Sequence, residues 1–105
     1  MLGPLFEHLV VQSVLSYATP EMTVGHLRQR DGRHEVDLVV EQASRVVAIE
    51  VKLATTVTDA DVRHLLWLRD QLGDNLADAV VVTTGRHAYR RADGIAVVPA
   101  VLLGR

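Results

Sequence analysis

The sequence predicts an α/β domain with a mixed β-sheet, in which an antiparallel meander leads into a crossover helix and a further strand, with helices packed against the sheet. Three observations predict this. Residues 34–41 (HEVDLVVE) mix polar and apolar side chains with the two-residue period of a strand. Residues 59–72 repeat apolar side chains at helical spacing. Residues 77–84 (ADAVVVTT) are almost continuously apolar, which calls for cover on both faces, as in a central parallel strand. A strand that follows a helix and lies parallel to its predecessor is the product of a crossover connection.

Each element has its own reason. Residues 5–18 place Leu5, Leu9, Val10, Val14 and Tyr17 on a helical period, and Thr19-Pro20 ends it. Residues 23–30 make a weak strand interrupted by Gly25, and Asp31-Gly32 is a turn pair. In 34–41, His34, Val36, Leu38 and Val40 are expected on one face and Glu35, Asp37, Val39 and Glu41 on the other. A turn at residues 42–45 leads to 46–53 (VVAIEVKL), the most strand-like run. There Val47, Ile49, Val51 and Leu53 are expected to face the core. Residues 54–59 are a loop in which Thr58 or Asp59 can cap the helix of 59–72. Gly73-Asp74-Asn75 stops that helix. Residues 85–93 are a charged loop or short helix, and 95–98 form a short last strand.

Composition narrows the function. The chain has 105 residues, 49% of them hydrophobic and 23% charged, which fits one globular domain over 1–105 and no disordered class. It has no cysteine, so disulfides, cysteinyl metal sites and cysteine nucleophiles are excluded. A net charge of -2 argues against a histone-like coat, although local charge can differ from net charge. No apolar run approaches the roughly 20 residues of a membrane span. The first ten residues lack a basic leader and contain Glu7 and His8, so the expected location is the cytoplasm.

Candidate chemistry lies in 34–41 and 46–53. Glu50 and Lys52 are two apart and share a strand face. A short turn at Ala43 makes Asp37 and Glu50 near cross-strand neighbours. Two such carboxylates can share Mg²⁺ or Mn²⁺, with Glu7 as a third ligand and the Val51 carbonyl as another oxygen. Such an ion activates water for phosphodiester hydrolysis, and Lys52 can meet the developing charge. The ordinary alternatives are an Asp37 salt bridge to Arg33 or Arg45, a solvated Glu50/Lys52 stripe, and a surface Glu7 near a helix start. His26 and His34 read as surface residues. His64, near Trp67, reads as structural or DNA-contacting more readily than catalytic.

Asp37 followed by Glu50-Val51-Lys52 resembles the PD-(D/E)XK nuclease motif in the form D…E-x-K, with Val36 where that motif often has proline. More narrowly, GPLFEHLV, LRQRDGRHEVDLVVE, VVAIEVK, AVVVTTG and DGIAVVPA resemble the C-terminal nuclease-like domain of unknown function in bacterial and archaeal AAA+ ATPases. The resemblance spans nearly the whole chain. It implies a restriction-endonuclease-like core and a catalytic set of Glu7, Asp37, Glu50 and Lys52. It also implies a preceding ATPase module.

Two basic clusters are candidate DNA contacts. Arg28, Arg30 and Arg33 flank the first hairpin; Arg86, Arg90 and Arg91 surround Tyr89, which can stack on a base. His87 lies in the second cluster. The expected function is a metal-dependent nuclease acting on DNA. The alternative is a catalytically silent nuclease-like module that binds DNA or a protein such as an ATPase. The small core of so short a chain also favours a homodimer.

Overall fold

The computed structural model describes residues 18–103, so the expected helix over 5–18 and Glu7 lie outside the described residues. The described residues form a six-stranded mixed sheet. In chain order they run β1 (Thr23–Arg28), β2 (Glu35–Gln42), β3 (Arg45–Lys52), a 3₁₀ turn (Ala60–Val62) leading into helix α1 (Arg63–Leu72), β4 (Leu76–Thr83), β5 (Tyr89–Arg90) and β6 (Ala96–Pro99). The order across the sheet is β1-β2-β3-β4-β6-β5. β1, β2 and β3 are the expected antiparallel meander. β4 runs parallel to β3 and to β6, so the continuously apolar segment is indeed central and parallel. The segment expected as loop or short helix contains β5, which pairs antiparallel with β6. A two-residue strand has too few positions to show alternation, and only its partner defines it.

α1 covers one face because Leu65 and Leu68 recur at helical spacing, continuing from Val62 in the preceding turn. All three are buried among Val36, Ala48, Ala79, Val81, Ile95 and Val97. Leu38, Ile49 and Val82 form a second buried cluster, with Val24, Val40, Val47, Val51, Val80, Ala100 and Leu103 packed around it. Ala48 and Ile49 are consecutive in β3, so the two clusters lie on opposite faces of the sheet.

Two face assignments differ from the expectation. In β3, Ala48 is buried in the cluster under α1 and Val46 is buried as well, and Leu53 is 48% exposed instead of in the core. Both faces of β3 are therefore covered along its first half, and Glu50 and Lys52 extend from the α1 face. In β2, Gly25 of β1 lies opposite Val39, but Leu27 lies opposite Val36. Three steps on β2 match two on β1, so β2 carries a bulge at residues 37–38. The extra residue resets the alternation. Val36 and Val39 both join the core under α1, while Leu38 belongs to the opposite cluster.

The β2–β3 hairpin closes through Ala43 and Ser44, both at positive φ (51° and 71°) between the paired Gln42 and Arg45. Two positive-φ residues make the primed turn that matches strand twist, a site where Asn-Gly is favoured. Neither Ala nor Ser is at ease there. The double substitution Ala43→Asn/Ser44→Gly is expected to stabilise the domain by about 1 kcal/mol, seen as a rise in Tm of roughly 4–8 °C. An unchanged or lower Tm in differential scanning calorimetry would show that the turn is not under strain.

Candidate functional site: an opened hairpin and its cleft

The ladder between β2 and β3 runs from Gln42↔Arg45 to Leu38↔Ile49 and stops one pair short of Asp37 and Glu50. Beyond that point the two carboxylates take over from the ladder. The Val51 N–H donates to Asp37 Oδ2 at 2.8 Å, and the Asp37 N–H donates to Glu50 Oε1 at 3.0 Å. The bulge in β2 is what turns Asp37 toward β3, a use of bulges common where a side chain must be re-aimed. On its other edge β3 stays paired with β4 as far as Lys52↔Thr83. The strands thus part on one side only, and each carboxylate satisfies a backbone donor that the parting leaves without a ladder partner. The expected proximity of Asp37 and Glu50 is present. Asp37 is bonded to β3, and Arg33 instead pairs with Asp31.

Beside the parting lies a cleft of about 260 Å³, lined by Glu50, Val51, Lys52, Ala60, Asp61, His64 and Val81. Lys52 Nζ sits 2.9 Å from Asp61 Oδ1. The other oxygen of Asp61 accepts from the Thr58 N–H at 2.8 Å and from Thr58 Oγ1 at 3.0 Å. This is the reach-back half of a capping box: the acidic side chain three residues on satisfies the first backbone donor. The expected caps from Thr58 or Asp59 onto the helix are not made, because the segment enters through a 3₁₀ turn and Asp61 takes the capping role. Partial burial pushes the Asp61 carboxyl up, but the Lys52 ammonium and the two Thr58 donors outweigh it and hold it below its ordinary range. Asp61 is not among the residues that the sequence singles out. Its signal was the Thr58-x-x-Asp61 spacing just before an apolar helix.

His64 lines this cleft from the first turn of α1. Its Nδ1 lies 3.3 Å from His34 Nδ1, and the Glu35 N–H donates to it at 3.4 Å. His34 in turn stacks on Trp67, ring centroids 4.2 Å apart and planes within 7°. His34 is therefore half-buried in a ring stack and not the surface residue that its strand position predicts. The pairing across 30 residues of sequence could not be read from local pattern. Burial first, then the charge of Arg63 and the neighbouring His34, lower the pKa of His64 against the opposing pull of Glu35 and Asp37. Trp67 packs against the main core.

The basic candidates separate into three uses. Arg28 and Arg33 make loose surface pairs with Glu35 and Asp31, and Arg30 is exposed in the turn. Arg90 forks onto Asp78, its two terminal nitrogens at 2.9 and 3.1 Å from the two carboxylate oxygens. Arg91 is turned inward, 15% exposed, and bonds Asp93, Asp59 and the Val57 carbonyl. Arg86 and Tyr89 line a separate cleft with Thr55, Gly85 and His87. Among the described residues no group of three or more His, Cys, Asp or Glu side chains is gathered to hold a metal ion. Asp37 and Glu50 supply two carboxylates, and Glu7 lies outside the described residues.

The fold and the site together define a mixed-sheet α/β domain with an acidic and basic cleft where its hairpin opens. The chain belongs to the family described as Domain of unknown function (DUF4143), which matches residues 2–103. None of the curated proteins matches it. No helix among the described residues is long and apolar enough to cross a membrane.

Two predictions come from this geometry. Asp37→Asn keeps an oxygen for the Val51 N–H, whereas Asp37→Ala leaves that donor unpaired. Asp37→Ala is expected to lose about 1–3 kcal/mol in urea denaturation, and Asp37→Asn much less. Equal losses would mean that the carboxylate is not a strand tie. The second prediction concerns His64. Its pKa is depressed in the folded protein, so below its ordinary value of 6.5 the unfolded chain binds more protons and stability falls with pH. Tm is expected to drop between pH 7.5 and 5.5, and the drop should shrink in His64→Phe; an identical drop in both proteins would assign it elsewhere.

Proposed function

We propose that this domain is a nuclease-like module that works by binding, to DNA or to a partner ATPase, and does not turn over substrate. One observation carries the reading: each member of the D…E-x-K set is used as an internal tie. Asp37 and Glu50 hold the parted strands through backbone N–H groups, and Lys52 is paired with the helix-capping Asp61. Groups so engaged explain why a nuclease-like constellation can persist without turnover, since each contributes to the shape of the cleft. The ATPase partner enters from the family resemblance of the sequence, and a two-fold dimer remains part of the proposal on the ground of the small core.

A metal-dependent nuclease is the second reading, favoured by the nearness of Asp37 to Glu50, which lines a cleft. Mg²⁺ binds through one or two carboxylates and keeps several waters, so two carboxylates fit it as a minimal set. Asp37, Glu50, the Val51 carbonyl and Glu7 would hold Mg²⁺ or Mn²⁺, which when bound would polarise a phosphoryl group and acidify water. In that reading Lys52 would exchange Asp61 for the phosphoryl oxygens.

The readings divide in one experiment. Wild type, Glu50→Ala and Lys52→Ala are freed of metal with EDTA and returned to Mg²⁺ or Mn²⁺ with labelled linear, circular, forked and four-way DNA, and with RNA. The expected result is retained DNA or partner binding with no cleavage in any protein, and equal Mn²⁺ heats for wild type and Asp37→Ala in calorimetry. Cleavage by wild type that Glu50→Ala abolishes would establish the nuclease. Cleavage shared equally by both would reveal a contaminant.

A further inference from the structure

We propose that a second cleft, at the carboxyl ends of β3 and β4, binds a nucleoside monophosphate group, with Arg86 and His87 on the phosphate and Tyr89 against the base. The cleft measures about 270 Å³ and is lined by Thr55, Gly85, Arg86, His87 and Tyr89. This goes beyond the binding role above and involves none of the D…E-x-K residues.

Four features point to that ligand. The first is position. In open α/β sheets ligands settle outside the carboxyl ends of parallel strands, where the exiting loops diverge. Thr55 follows β3 and Gly85 follows β4, two adjacent parallel strands. The second is a built floor. The Thr84 N–H donates to the Ala54 carbonyl at 3.2 Å, and the Gly85 N–H donates to Oγ1 of the buried Thr83 at 3.1 Å. A Cβ at Gly85 would stand 3.2 Å from Thr83 Oγ1 and 3.3 Å from the Thr55 carbonyl oxygen, so the close approach of the two loops favours glycine there.

The third feature is charge. Arg90 and Arg91 are held by Asp78, Asp59 and Asp93, whereas Arg86 has no carboxylate partner among the described residues. Among the described residues no carboxylate lines this cleft, in contrast to the first, which contains Glu50 and Asp61. An open guanidinium beside an imidazole and a hydroxyl is a donor set suited to phosphate oxygens. The fourth is an aromatic surface presented on a fixed backbone. Tyr89 is 46% exposed, yet its backbone pairs with Val97 in the sheet, and the Arg90–Asp78 fork anchors the next residue. Exposed aromatic rings on fixed backbones are platforms for base stacking. The volume falls just short of the roughly 300–1,000 Å³ of small-molecule sites, so it suits one nucleotide and not an extended ligand.

The same chemistry is offered by a free nucleotide and by the 5′-phosphorylated end of a strand, and the test distinguishes them. Calorimetry is run on the full chain with thymidine 5′-monophosphate, thymidine, inorganic phosphate, and short oligothymidylates with and without a 5′-phosphate. The monophosphate is expected to bind more tightly than thymidine or phosphate alone. Arg86→Ala and Arg86→Lys should weaken it, the first by about tenfold or more, because the fork is lost in both and the charge only in the first. Tyr89→Ala should weaken the nucleotide and leave inorganic phosphate unchanged. Arg45→Ala, at the far end of β3, should change nothing, which separates this site from a general effect of surface charge. A 5′-phosphorylated strand that outbinds both its unphosphorylated form and the mononucleotide identifies strand ends as the ligand; a mononucleotide that binds as well as the strand identifies free nucleotide. Absence of binding at millimolar nucleotide, or full affinity in Arg86→Ala with its circular dichroism unchanged, would overturn the proposal.

Discussion

The parting of β2 from β3 at Asp37 and Glu50 is the constraint from which the candidate site of this domain follows. A ladder that simply continued would bring those side chains side by side on a closed sheet, with no opening. The extra residue in β2 breaks the alternation, and the ladder ends at Leu38↔Ile49. Two backbone donors are then left without ladder partners, and a partly buried donor without an acceptor is costly. Asp37 and Glu50 supply the acceptors across the gap. The same two carboxylates that resemble metal ligands in sequence therefore make the opening tolerable.

Charged side chains act elsewhere in the same way, as ties between segments distant in sequence. Lys52 at the end of β3 meets Asp61 at the entrance to α1, and Asp61 simultaneously closes the turn at Thr58. Arg91 binds both the approach to α1, through Val57 and Asp59, and the turn that leads into β6, through Asp93. Arg90 clamps β5 to Asp78 at the start of β4. Arg91, 15% exposed, is shielded from the water and salt that screen the exposed Arg28–Glu35 and Arg33–Asp31 contacts. The consequence for function is selective. The ties remove Arg90 and Arg91 from the set of open cations, whereas Arg86 faces a cleft that no carboxylate among the described residues lines.

Both clefts lie where parallel strands end and loops must diverge, and they differ in sign. The first is acidic and basic together, with His64, His34 and Trp67 packed along its α1 side. The second has no carboxylate among the described residues and carries an aromatic ring. One short sheet thereby presents two chemically distinct surfaces.

The order of elements was legible in the chain because it rests on local periodicity. Alternation in 34–41, the helical stripe around Leu65 and Leu68, and the unbroken apolar run at 77–84 each reflect what covers an element, and they correctly gave a meander, a crossover helix and a central parallel strand. The spacing of Glu50 and Lys52 and their nearness to Asp37 were legible for the same reason, since hairpin register follows from turn position. What the side chains are bonded to was not. A single inserted residue in β2 shows no local signature, because its effect exists only against β1. The His34–His64–Trp67 stack, the Lys52–Asp61 pair and the inward turn of Arg91 join residues between 9 and 34 positions apart. Periodicity reports the environment along one element, whereas these contacts depend on how separate elements are brought together, and that is decided only when the sheet and α1 pack.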